Sequence, residues 1–179
     1  MFGMKRRVTI EEFARELVRF SIHPLSMPYV EQAKLWNASI EYGADPSTSL
    51  YEFVFLRGVS VWHALFTAKS RGKLRDAEWS ALNGEFLACM MEELSKYPRE
   101  DNPWKAYLSE VFEHRLRDYR DSTAGADAVS GIKAMSTLFA KFCSGNSSNQ
   151  RLIGEGFTIL TVGTNKLIDD VISKVKFIG

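Results

Sequence analysis

Three histidines and two cysteines, His23, His63, His114, Cys89 and Cys143, are scattered along a chain of 179 residues. A carboxylate-bridged metal centre in a helical bundle needs Glu-x-x-His, which projects both side chains inward from one face. None of the three histidines has a glutamate three residues before it. The nearest substitute is Glu110, Glu113 and His114. On a wheel of about 100° per residue, the apolar stripe of that segment is Trp104, Leu108, Val111, Phe112 and Tyr119. Glu110, Glu113 and Arg117 fall opposite it and His114 on its flank, which is the pattern of a solvated salt network. No metal and no cofactor is expected. Each cysteine lies among apolar residues at helical spacing, Phe86 and Met90 around one, Phe139 and Phe142 around the other. Buried thiols in a reducing compartment account for both. There is no Gly-x-Ser-x-Gly elbow, Gly154-Glu-Gly156 lacks the third glycine of a dinucleotide loop, and Gly163-Thr-Asn-Lys166 is not a phosphate loop.

The segment Arg57-Gly-Val-Ser-Val-Trp-His63 resembles the catalytic signature of HEPN-type ribonucleases, which are small all-α dimers. The resemblance implies that Arg57 and His63 of two subunits meet and cleave RNA without metal. Arg57 would hold the phosphate and His63 would act as general base on the ribose 2′-hydroxyl. It spans seven residues, with Gly58 where the family often has a polar residue and with the motif early in the chain rather than late. A separation of six also leaves the two side chains roughly 120° apart around a helix. The competing reading is a structural arginine and a half-buried histidine. A further candidate is an aromatic-lined ligand pocket among Trp36, Trp62, Trp79 and Trp104, set against the same four residues as plain core.

The elements that must position these residues are helices, because apolar residues recur at helical spacing nearly throughout. Thr9 and Glu12 make a capping box before the stripe Ile10, Phe13, Ala14, Leu17 and Phe20, and Pro24 is expected to close that helix. Ser26 and Pro28 open a second helix with Tyr29, Ala33, Trp36 and Ile40 on one face. Ser47 is expected to cap a third, running over about 48–71. That helix is apolar on nearly all sides, with Leu50, Val54, Val61 and Leu65 on one and Tyr51, Phe55, Val59, Trp62 and Phe66 on another. It should therefore be the buried centre. A fourth helix covers about 75–97, a fifth starts at Asn102-Pro103 and ends near Arg120, and a sixth covers about 124–143. After the polar loop 144–149, a last helix over about 150–177 carries Ile153, Phe157, Leu160, Leu167, Val171 and Val175 in register. The stretch 157–162 is β-branched enough to be read as strand, but the stripe on either side favours helix.

All four Trp and all six Tyr precede Asp121, whereas seven of the twelve Gly follow it. The chain thus reads as one domain over 1–179, an all-α bundle of about seven helices. It has an aromatic-rich body over 1–121 and a small-residue αα-hairpin over 122–179. A net charge of +1 gives no bias towards nucleic acid or anionic lipid, and Arg57, His63 and Lys69 interrupt the longest apolar stretch, so no membrane partner is expected. Acidic residues soon after Lys5, Arg6 and Arg7 argue against an export signal and for a cytoplasmic protein. The reading that remains is a non-catalytic helical interaction module, a homodimer. Its alternatives are a small-molecule-binding protein or enzyme with an aromatic pocket, or the ribonuclease. A last helix of about 28 residues would reach about 40 Å, and its stripe is expected to supply the dimer interface. The competing reading is that this helix kinks at Gly154–Gly156 or Gly163 and folds back over its own body, which leaves a monomer.

Overall fold

The computed structural model describes residues 5–97 and 107–178. Trp104 and the expected helix start at Asn102-Pro103 lie outside them. The order of elements is β1 (Arg6–Val8), α1 (Ile10–Ser26), α2 (Tyr29–Glu41), α3 (Pro46–Ser70), α4 (Asp76–Leu94), α5 (Leu108–Ser122), α6 (Ala128–Ser144) and α7 (Gln150–Thr158). From α7 the chain winds on through a π turn (Ile159–Gly163), an α turn (Thr164–Lys166), a second π turn (Leu167–Val171) and a 3₁₀ turn (Ile172–Lys174). It ends in β2 (Val175–Phe177), which pairs in parallel with β1, Arg7 opposite Lys176. The fold is all-α, with this two-strand ribbon as the one sheet among the described residues.

Local chemistry sets most of the boundaries. Thr9 accepts from the Glu12 amide at 3.1 Å while Glu12 accepts from the Thr9 amide at 2.9 Å, so the capping box of α1 forms. The cap of α3 is Asp45, not Ser47: its carboxylate accepts the Ser47 amide at 3.0 Å and Pro46 takes the first helical position. Asp127 caps α6 through the amides of Val129 and Ser130, which starts that helix later than the stripe alone suggests. Gly145, at φ 70°, takes the left-handed position that ends it.

Pro24 does not close α1; it sits inside it. A proline has no amide to offer the carbonyl four residues back, which here is Phe20. Arg57 fills that role. Its Nε and Nη2 donate to the Phe20 carbonyl at 3.0 and 2.6 Å, and its guanidinium stacks 4.1 Å from the Phe20 ring.

α3 is the centre. One of its sides (Val54, Phe55, Val61, Ala64, Leu65) enters a core shared with α1, α4, α5 and the C-terminal turns. Another (Leu56, Val59) enters a second core with Tyr119, Phe139 and Leu160. Gly58 lets α5 approach, since a Cβ there would meet the Phe112 ring at 2.9 Å. The buried Glu52 carboxylate receives a fork from Arg115, Nε at 2.8 Å and Nη2 at 2.7 Å, and the guanidinium lies 3.6 Å from the Phe142 ring. This ties α3, α5 and α6 together.

The α6–α7 hairpin forms as the small residues suggest. A Cβ on Gly156 would stand 3.2 Å from the Ser136 Cα and 3.1 Å from Phe139. Beyond Gly156 the expected register holds only in part, with Leu160, Leu167 and Val175 buried as the stripe requires. The buried face is Leu152, Gly156, Leu160, Thr164, Ile168 and Ile172, one residue in every four, while Phe157 and Val171 face solvent. On a straight α-helix each four-residue step drifts by about 40°, so this face would spiral away. The two π turns, with their i→i+5 bonds, take up the surplus residue and keep the face on α3. The helix is thereby bent over its own body, and Leu167, expected at a dimer interface, is buried within the chain.

Candidate functional site

A cavity of about 580 Å³ lies between the C-terminal half of α3, the start of α6 and the first π turn. Its floor is Met135, Leu160 and Thr164, all buried. Trp62, His63 and Ile132 form its walls; Arg71, Asn165 and Asp127 also line it and are exposed. The π turn builds one side: Ser60 Oγ lies 3.4 Å from both the Ile159 carbonyl and Thr164 Oγ1, so α3 and the last helix touch there and open towards Arg71.

His63 is half-buried here. Burial first, and the charge of Arg71 second, hold its imidazole below the ordinary histidine value, which favours the neutral form. Arg71 donates to Asn165 Oδ1 at 3.3 Å and has no carboxylate in ion-pair range among the described residues. Asp127 is engaged in capping α6, where the Ser130 hydroxyl adds a bond at 2.6 Å. Of the hydroxyls that line the cleft, those of Ser70, Thr123 and Thr161 donate to carbonyls three or four residues back along the chain. The cleft thus brings together an imidazole, a guanidinium with no ion-pair partner among the described residues, and apolar walls.

The residues singled out in the sequence are dispersed. Trp62 and His63 line the cleft, whereas Arg57 is turned to α1 and held on the Phe20 carbonyl. Trp36 lines a different groove, and Trp79 packs on the first core with Lys69 Nζ 4.5 Å from its ring. The described tryptophans therefore share no pocket. Cys89 and Cys143 are buried free thiols, and burial pushes both upward in pKa, so neither is a thiolate. Among the described residues no group of three His, Cys, Asp or Glu could hold a metal ion, and Glu113 pairs with Arg117 at 3.8 Å. Arg71, Asn165 and Asp127 went unnoticed in the sequence. Only Asp127 left a signal there, the Asp-x-x-Ser spacing of a helix cap.

No protein-family model, no curated protein and no solved structure matches the chain. What the chain does must be argued from its own surfaces, and the second of these is α2. Much of its apolar face points out: Tyr29 is 83% exposed, Val30 67%, Ile40 58% and Trp36 48%, and Ser39 is the one buried residue of the helix. Beside it a groove of about 440 Å³ runs between α2 and α3, lined by Tyr29, Leu35, Trp36, Leu50 and Phe53. α2 is anchored mainly at its C-terminal end, where Asn149 Nδ2 donates to the Tyr42 carbonyl at 2.7 Å and the Asp45 amide to the Cys143 carbonyl at 3.1 Å. Among the described residues no helix is long and apolar enough to cross a membrane.

Proposed function

We propose that the chain is a non-catalytic helical interaction module that works as a homodimer, with α2 as the seam. The observation that carries this is the stripe Tyr29, Ala33, Trp36 and Ile40. Its spacing of four, three and four is that of the a and d positions along which two helices pair. A second copy suits it in two ways. The residues flanking the stripe, Val30, Gln32, Asn37 and Ser39, are uncharged, so identical helices meet without like-charge repulsion. The patch also holds both a knob and a hole, because Tyr29 and Trp36 stand out beside an apolar groove of their own making. That is the self-complementarity a two-fold interface requires. The charges of the helix, Glu31, Lys34 and Glu41, lack the basic band of a membrane-surface helix. The two buried free thiols suit a reducing, cytoplasmic setting.

Light scattering on a size-exclusion column tests the proposal. The wild type should run at twice the chain mass of 20.3 kDa. Trp36→Asp with Ile40→Asp should run at the chain mass with an unchanged helical circular-dichroism spectrum. A monomeric wild type, or a folded double variant that remains dimeric, overturns the proposal.

A further inference from the structure

From the cleft between α3, α6 and the first π turn, we infer a binding site for a small amphipathic organic acid, its carboxylate on Arg71 and its apolar body between Trp62 and Ile132. The inference is independent of the α2 dimer.

Three observations converge on this ligand class. The volume of about 580 Å³ falls within the roughly 300–1,000 Å³ of ordinary small-molecule pockets. The deep part is apolar, with Met135 and Leu160 buried beneath it and Trp62 and Ile132 at the sides, which suits a hydrocarbon or aromatic body. At the mouth the charges are unequal in availability. Asp127 is occupied by two amides and a hydroxyl of α6, while Arg71 spends one hydrogen bond on the side-chain amide of Asn165. A guanidinium presents a planar fork that matches a carboxylate, so Arg71 is the group that selects the charge of the occupant. His63 reports on the event. It sits in the same wall, feels the positive charge of Arg71, and is pushed towards its neutral form by it. A carboxylate on Arg71 cancels that push. The π turn adds to the case, since irregular turns of this kind recur where a helix has been reshaped around a site. Here the turn contributes Leu160 and Thr161 to the lining.

The test uses the full chain and two probes of the same shape, 3-phenylpropionate and its neutral amide. Each is titrated by NMR while the His63 ring protons are followed. The acid should bind at least tenfold more tightly than the amide and raise the pKa of His63. Arg71→Met, at an exposed position, should erase the preference for the acid. Ile132→Trp, which fills the cleft, should abolish binding of both, while circular dichroism confirms that each variant is folded. Equal binding of acid and amide, binding that survives Ile132→Trp, or no binding of either probe at millimolar concentration overturns the inference. A preference that persists in Arg71→Met also overturns it, by placing the cation elsewhere.

Discussion

α2 and the helix that begins at Gln150 each carry an apolar stripe, and the fold treats them in opposite ways. The C-terminal helix is bent by two π turns until Leu152, Leu160, Ile168 and Ile172 all meet the body. α2 stays a regular helix and leaves Tyr29, Val30, Trp36 and Ile40 in solvent. A stripe states that a helix has a face to bury; it does not state against what. The last helix buries its face on its own chain, whereas α2 keeps much of its face exposed, and the proposed dimer rests on that exposure. With Leu167 buried within the chain, the proposal puts the dimer seam on the second helix rather than the last.

The largest expected effect comes from charging each stripe in turn. Leu167→Asp places a carboxylate in the core and should destabilise the monomer by about 3–5 kcal/mol, enough to unfold much of the protein in a urea titration. Tyr29→Asp should change monomer stability by no more than about 0.5 kcal/mol, because its side chain is 83% exposed. Comparable losses from the two would erase the distinction between the helices.

A finer contrast lies within α7. Gly156→Ala drives a methyl group towards the Ser136 backbone and should cost about 1–3 kcal/mol by spreading the hairpin. Gly154→Ala, two residues earlier, meets nothing within 4 Å and should gain up to about 1 kcal/mol from helix propensity. Thermal melts at matched concentration distinguish the two. A gain at both positions would mean that α6 and α7 do not pack as closely as described.

These same residues show what was legible in the sequence. The capping box at Thr9 and the central place of α3 were readable because each is decided locally, by a hydrogen bond three residues long or by an absence of polar positions. Helical glycine is tolerated only at a cost, yet that cost does not tell Gly156, which meets α6, from Gly154, which meets nothing within 4 Å. Pro24 misled, since the group that rescues its lost hydrogen bond is Arg57, on another helix. The stripe through Phe157 and Val171 misled because it assumed a straight helix. β2 was missed because three residues at one end of the chain become a strand only by pairing with three at the other. The cleft was invisible for the same reason: Trp62 and His63 come from α3, Ile132 from α6 and Leu160 from the π turn, and no local pattern links them.

The smallest expected effect concerns His63. Its pKa is lowered in the fold, so below the unfolded value of about 6.5 the unfolded chain takes up a proton that the folded chain resists. The stability from this group is complete above that pH and is lost as pH falls towards the folded value. His63→Gln should flatten the decline in melting temperature between about pH 7 and pH 5. An unchanged slope would mean that the cleft does not shield the imidazole.

The central claim is that α2 is bare in one chain and covered in the assembly, and hydroxyl-radical footprinting of the wild type at rising protein concentration reads this residue by residue. Tyr29 and Trp36 should be oxidised readily in dilute solution and become protected together as the dimer forms, while Phe157 and Val171 stay equally reactive throughout. Tyr29 and Trp36 oxidised to the same extent at every concentration, or protection arising on the last helix instead, would contradict it.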